Sequence, residues 1–66
     1  MNIQTRVNIF KYARGVFPNY EVSKQNDLIK NKKKLLSDIA YVCDIDDDLM
    51  KFYKDEIYDL FINYLN

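Results

Sequence analysis

The chain has 66 residues, with 10 basic and 10 acidic side chains, one cysteine and no histidine. This length allows one hydrophobic core and excludes a chain of several domains. The hydrophobic content of 48% is too high for a disordered segment. One glycine and one proline argue against the many tight turns of an all-β protein. We therefore predict one all-α domain over residues 1–66.

The same composition limits the compartment and the chemistry. Cys43 has no partner for an intramolecular disulfide, which favours a reducing, cytoplasmic compartment. No apolar run approaches the roughly 20 residues that span a bilayer, so we expect no membrane contact by this segment. Without histidine, the Cys–His and Ser–His nucleophile pairs and the common zinc sites are excluded. The acidic run at 44–48 lacks the glycine and glutamate of a calcium loop. We expect no enzyme, no metal and no cofactor.

Helical spacing predicts the first helix over residues 2–14. Ile3, Val7 and Phe10 recur at positions that share one helix face, and Ile9 and Ala13 widen that face. This stripe is the expected core side of the first helix.

A break is predicted after the first helix. Gly15 is expected to be its C-terminal cap. Pro18 disfavours a helical conformation at Phe17, which indicates a loop. We expect Phe17, Tyr20 and Val22 to pack beneath the helices.

Two more helices complete the predicted bundle. Ser23 can cap a second helix that runs to about Cys43. Asp46 can cap the third, with Asp47 and Asp48 in its first turn, where negative charge favours the helix dipole. The predicted apolar face of the second helix consists of Leu28, Ile29, Leu35, Leu36, Ile39, Ala40 and Cys43.

Charge is divided unevenly along the chain. Residues 1–35 carry eight basic and two acidic side chains, a net +6, and residues 36–66 carry the reverse, a net −6. The basic half predicts a phosphate-binding surface; a solvated helix face that keeps the protein soluble is the alternative. Tyr12 and Tyr20 are candidates for stacking on unpaired bases, or else core residues. The predicted nucleic-acid-binding residues are Arg6, Lys11, Arg14, Lys24, Lys30, Lys32, Lys33 and Lys34.

The corner between the second and third predicted helices resembles a helix-turn-helix. Ala40 is the small residue inside the first helix, Asp44 occupies the turn, and Ile45, Met50 and Tyr53 are apolar anchors. The turn residue departs from the usual glycine, although aspartate tolerates a left-handed backbone better than most residues.

The third predicted helix is poorly suited to base reading. The side chains that would enter the major groove are mostly acidic and would face polyphosphate. They are Asp46, Asp47, Asp48, Lys51 and Phe52. A basic surface on the first two helices is therefore the expected nucleic-acid contact.

Apolar residues occupy well over half the circumference of the third predicted helix, and a three-helix monomer covers only one stripe of it. The excess predicts a homodimer or a docked partner helix. The expected interface residues are Phe52, Tyr58, Phe61, Ile62 and Leu65.

This three-helix homeodomain-like arrangement, with its basic first half and dimer-forming third helix, resembles the DNA-binding domains of membrane-tethered replication-organiser proteins of small protein-primed phages. The resemblance implies a dimer that binds single- and double-stranded DNA independently of sequence, with a membrane anchor upstream of this segment. We therefore predict a DNA-binding and oligomerisation module in phage DNA replication. The alternative is a small protein-binding regulator or inhibitor that uses the apolar and acidic face of the third helix.

Overall fold

A computed structural model describes residues 1–66 as an all-helical chain with no strands, which confirms the predicted all-α class. A π-helical turn, Tyr12–Val16, and a 3₁₀ turn, Phe17–Asn19, link the first two α-helices. None of the helices is both long enough and apolar enough to cross a bilayer. The four α-helices are α1 (Ile3–Lys11), α2 (Val22–Lys30), α3 (Lys32–Cys43) and α4 (Asp47–Leu65).

The prediction of one continuous second helix, and hence of three helices in total, is wrong. The chain divides at Asn31, whose backbone is extended at φ −125° and ψ 92°. The Asn31 N–H donates to the Leu28 carbonyl at 3.3 Å and ends α2. Its side-chain oxygen accepts the Lys34 N–H at 3.2 Å and caps α3. Asparagine is a preferred N-cap residue, so one residue both stops α2 and starts α3.

The link after α1 is helical rather than a loop. Gly15 lies inside the π-helical turn and does not adopt a positive φ, so the predicted C-cap at Gly15 is wrong. Phe17 remains helical at φ −55° and ψ −46° despite preceding Pro18. The proline ring fits the first turn of the 3₁₀ segment, where no N–H is needed. Asn19 closes the turn by donating its side-chain amide to the Gly15 carbonyl at 2.7 Å.

The start of α2 also differs from the prediction. The helix begins at Val22, with Glu21 as N-cap residue, so Ser23 is not the cap. Val22 is 71% exposed and does not pack beneath the helices, whereas Phe17 is buried and Tyr20 half-buried, as predicted.

Two local predictions for the corner between α3 and α4 are confirmed, the turn at Asp44 and the N-cap at Asp46. Asp44 adopts the left-handed conformation at φ 55° and ψ 51°. The Ile45 N–H then donates to the Ala40 carbonyl at 2.9 Å, and Ile45 enters the core. The Asp46 carboxylate caps α4 by accepting the Leu49 N–H at 2.8 Å.

The core takes buried side chains from every α-helix and from both turns of the link. The face that α1 contributes carries Ile9, followed in the link by Tyr12 and Ala13. Ile3, which the sequence placed on the core side, is exposed, as are Val7 and Phe10 on the same stripe; that prediction is wrong. The buried residues are Ile9, Tyr12, Ala13, Phe17, Leu28, Leu35, Ile39, Cys43, Ile45, Ile57 and Phe61.

Candidate functional site

Four lysines line a groove between α3 and α4. Two adjoining cavities of about 380 and 280 Å³ share Lys33, Leu36 and Lys54 and together form this α3–α4 groove. Lys32 extends it on the α3 side and Lys51 on the α4 side. The acidic side chains that line it are Asp47 and Asp55.

The lysines of the α3–α4 groove differ in how they are held. The Lys32 ammonium lies 3.3 Å from an Asp55 carboxylate oxygen and 4.6 Å from the centre of the Tyr58 ring. Lys33, Lys51 and Lys54 take part in none of the three ion pairs of the chain. Three ammonium groups are therefore free to neutralise an incoming anion.

Three of the chain's lysines crowd the first turn of α3. Lys32, Lys33 and Lys34 directly follow the cap residue Asn31. Positive charge at this end opposes the helix dipole and costs about 0.3–1 kcal/mol for a side chain near the terminus. All three are exposed; Lys32 and Lys34 form exposed ion pairs with Asp55 and Asp27, whereas Lys33 forms no ion pair that would offset this cost.

The eight basic residues predicted from the sequence do not form one surface. Only Lys32 and Lys33 line the α3–α4 groove. Arg6 instead pairs with Glu56 of α4 at 3.3 Å, and Lys34 pairs with Asp27 of α2 at 3.1 Å. Arg6 is therefore paired with the acidic half of the chain, and Lys34 with one of the two acidic residues of the basic half itself.

The remaining predicted basic residues lie elsewhere. Arg14 donates to the Tyr64 carbonyl at 3.2 Å. The Lys24 ammonium lies over the Tyr20 ring, 3.9 Å from its centre. Lys11 lines a separate cavity between α1 and the end of α3, and Lys30 is exposed on α2.

Sequence reasoning missed Lys51 and Lys54 as members of the site. A charge count by halves assigns both to the acidic half and dilutes them among eight carboxylates. Their spacing of three residues was the available signal, because side chains at i and i+3 lie on the same side of a helix.

The two tyrosines predicted to stack on bases, Tyr12 and Tyr20, belong to a polar cluster around Asp38 of α3. Both hydroxyls donate to one Asp38 oxygen, Tyr12 at 2.7 Å and Tyr20 at 2.9 Å. Tyr12 is 1% exposed, so its ring cannot stack on a base, and that reading is wrong. Burial, and then the Asp38 carboxylate, raise the pKa of Tyr20 to about 12 and that of Tyr12 further.

Cys43 lies close to this cluster. Its thiol donates to the Asn8 carbonyl at 3.4 Å, and burial, followed by the charge of Asp38, raises the pKa of Cys43 to about 11. A thiol held protonated in this way is a core residue rather than a nucleophile.

Tyr41 is the tyrosine that the fold leaves open. Its side chain is 85% exposed on α3 and shares a shallow cavity of about 370 Å³ with Lys34 and Ser37. Ser37 also lines the α3–α4 groove. The cavity beside the exposed ring and the α3–α4 groove therefore adjoin at Ser37.

The predicted α4 interface residues divide into three kinds. Phe61 is fully buried and packs against the rings of Tyr12 and Phe17, so its assignment to an intermolecular interface is wrong. Tyr58, Ile62 and Leu65 are half-buried against the core, whereas Phe52 is 87% exposed. The apolar excess on α4 is thus smaller than its composition indicates.

No group of three or more cysteine, aspartate or glutamate side chains is arranged to hold a metal ion. Comparison of the chain with protein-family models, with curated proteins and with solved structures found no match. The α3–α4 groove is the feature of the fold from which a function can be argued.

Proposed function

We propose that this domain binds nucleic acid through the phosphate backbone, independently of base sequence, with the α3–α4 groove as its contact surface. The supporting observation is the convergence of four lysines from two helices on one groove, three of them without an ion-pair partner. Each ammonium group that neutralises a phosphate releases condensed counterions, and this release favours binding.

The side chains around the groove favour phosphate over base edges. Lysine acts as a point charge, whereas bases in a groove of the duplex are read mostly by bidentate contacts from arginine, asparagine or glutamine. Arg6 and Arg14, the arginines of the chain, are engaged with Glu56 and with the Tyr64 carbonyl. The acidic first turn of α4 opposes its entry into a major groove.

Removing the three unpaired lysines tests the proposal. The combined variant Lys33→Ala, Lys51→Ala and Lys54→Ala is expected to weaken binding to short single- and double-stranded DNA at least ten-fold at low salt. The slope of log affinity against log salt should fall by about 2–3, because about one counterion per phosphate contact is no longer released. Fluorescence anisotropy over a salt series measures both quantities.

The matched control removes charge elsewhere. Lys24→Ala and Lys30→Ala together lower the net charge by two without touching the groove or α1, and they are compared with the groove double variant Lys51→Ala and Lys54→Ala. The control should retain most of the affinity. An equal loss in the two double variants would mean diffuse attraction with no site. Absence of any binding at roughly 100 μM protein, the weak end of non-specific affinities, would end the proposal.

Tyr41 adds a preference for unpaired strands. Its exposed ring offers a stacking platform worth about 1–3 kcal/mol per base to single-stranded nucleic acid. Tyr41→Ala is therefore expected to weaken single-stranded DNA binding while leaving duplex binding nearly unchanged, and Tyr41→Phe should retain both. Anisotropy titrations with the two strand forms measure this; an equal loss on both forms would contradict the stacking role.

The resemblance also implies a role in phage DNA replication, and this role stays a prediction.

A second candidate function, a protein-binding regulator, is favoured by one observation. Phe52 is 87% exposed and has Asp48, Asp55 and Glu56 within one helical turn. An aromatic side chain with an acidic rim is suited to an apolar pocket bordered by basic residues. A protein that binds no DNA and stays monomeric would support this candidate.

A further inference from the structure

Exposed apolar side chains line α1 and the adjoining side of α4. Ile3, Val7 and Phe10 follow one another at i, i+4 and i+7 and are 79%, 39% and 47% exposed. Such spacing places them on one side of α1. Phe52, the most exposed apolar residue of α4, is the fourth member of this α1–α4 face.

Contacts between the two helices align these side chains. Arg6 meets Glu56 at 3.3 Å, and further along both helices the rings of Phe10 and Tyr64 meet edge to face with centres 5.3 Å apart. The contacts advance in the same direction on each helix, so α1 and α4 run parallel. Phe52 lies one turn before Glu56, which places it at the end of the pair where α1 begins. The four side chains thus belong to one continuous face.

The two helices border this face with opposite charges. From α1 through the π-helical turn the charged residues are all basic: Arg6, Lys11 and Arg14. Arg6 is already paired with Glu56 where the two helices meet. The charges left to meet a partner are therefore Lys11 and Arg14 on the α1 side and, on α4, Asp48 one turn before Phe52 and Asp59 one turn after Glu56. Lys51 and Lys54 line the groove on the α3 side of α4. The face therefore has a basic side on α1 and an acidic side on α4.

We infer that the α1–α4 face binds a second copy of this chain in a two-fold dimer whose axis runs along the two helices, between them. This axis lays α1 of each protomer on α4 of its partner, so that basic sides meet acidic sides. An axis across the helices would place α1 on α1 and α4 on α4, with like charges opposed. The inference changes the predicted dimer: Phe52 stays in the interface, and α1 supplies most of the apolar contact in place of Phe61.

The area of the face is sufficient for such a dimer. Its four apolar side chains expose on the order of 400 Å², in the range of patches that mark interaction sites. A standard interface covers about 800 Å² of each partner, a little over half of it apolar. The patch can therefore form the apolar centre of a standard interface, with the charged sides as its rim.

Sedimentation velocity over a concentration series, without nucleic acid, tests the dimer. The wild-type chain is expected to dimerise, and Ile3→Ser and Phe52→Ser should each raise the dimer dissociation constant at least ten-fold. Both residues are exposed, so helicity by circular dichroism should stay unchanged. Tyr41→Ser is the matched control, since it removes an equally exposed aromatic side chain from α3. A wild-type monomer at every concentration, or equal effects of Phe52→Ser and Tyr41→Ser, would overturn the inference.

A charge exchange tests the orientation of the axis. Lys11, one turn beyond Val7, and Asp59, two turns beyond Phe52, form no ion pair within the monomer. Lys11→Glu and Asp59→Lys should each weaken the dimer, and the double variant should regain it. Lys24→Glu changes the net charge as Lys11→Glu does and should leave the dimer intact. If both single variants dimerised with the wild-type dissociation constant, the α1-on-α4 arrangement would be excluded. These measurements contain no DNA, so their failure would not bear on the proposed phosphate-binding groove.

Discussion

Asp38→Ala is expected to lower the free energy of unfolding by about 3–5 kcal/mol, because it removes two hydrogen bonds to a charged acceptor, each worth about 1.5–3 kcal/mol. A chain of this length has a total stability of only about 3–10 kcal/mol. The variant should therefore lose a large fraction of its stability and unfold at a much lower urea concentration than the wild type. Urea denaturation followed by circular dichroism measures the change.

The size of this effect follows from what Asp38 joins. One carboxylate oxygen on α3 accepts the Tyr12 hydroxyl from the π-helical turn and the Tyr20 hydroxyl from the start of the chain that leads into α2. Tyr12 is almost fully buried, so its hydroxyl cannot turn to solvent once its acceptor is gone. An unpaired buried donor adds its desolvation cost to the lost bonds.

Three variants separate this role from ordinary surface electrostatics. Tyr20→Phe removes only the less buried of the two bonds and should cost about 1–2 kcal/mol. Asp38→Asn keeps an acceptor oxygen and should lie between Tyr20→Phe and Asp38→Ala. Asp27→Ala is the matched control, because Asp27 forms an exposed ion pair with Lys34, and such pairs contribute about 0–1 kcal/mol. If Asp38→Ala cost no more than Asp27→Ala, the cluster would have no structural role.

The parts of this fold that could be predicted from the sequence are those fixed by interactions between residues close together in the chain. The corner between α3 and α4 depends on residues within a few positions of one another: a left-handed Asp44 and the capping carboxylate of Asp46. The break at Asn31 also depends on local chemistry, but it lies inside a continuous amphipathic pattern. Because α2 and α3 both turn their apolar faces to the core, periodicity alone does not reveal that the helix is interrupted.

The orientation of α1 depends on tertiary contacts and could not be predicted in this way. The segment carries two overlapping apolar stripes, one through Ile3 and Phe10 and one through Ile9 and Tyr12. Periodicity favours neither stripe. The second is buried in the core, where the Tyr12 hydroxyl donates to Asp38, 26 residues away along the chain. The first is then left exposed and becomes the dimer face inferred above.

The candidate site also depends on tertiary contacts that the sequence pattern does not reveal. Lys32 and Lys33 could be predicted as candidate phosphate ligands because they belong to a dense basic run. Lys51 and Lys54 come from the acidic half and join them only because α4 folds back beside α3. Charge counted along a chain therefore underestimates a site that two helices assemble from opposite halves.

Alkaline pH is expected to destabilise the domain. Burial keeps Cys43 protonated to about pH 11, against an ordinary pKa of 9.0, and Tyr20 to about pH 12, against 10.0; the pKa of Tyr12 is raised further still. Above pH 9 the unfolded chain loses protons that the folded chain retains, so deprotonation favours unfolding. Stability should be level up to about pH 9 and should fall beyond it, by at most about 1.4 kcal/mol per pH unit for each such group.

The three groups can be told apart by where the decline begins. Cys43→Ala leaves only the tyrosines, so the onset should move from about pH 9 to about pH 10, the ordinary pKa of tyrosine, whatever the variant's stability at neutral pH. Tyr20→Phe should keep the onset near pH 9 and reduce the slope above pH 10. Tyr41→Phe, which changes an exposed tyrosine, should leave the profile unaltered. Urea midpoints measured from pH 7 to 11 in the presence of a reductant give these profiles. An onset that Cys43→Ala does not move would mean that the thiol is as accessible to base in the folded chain as in the unfolded one, contrary to its burial against α1.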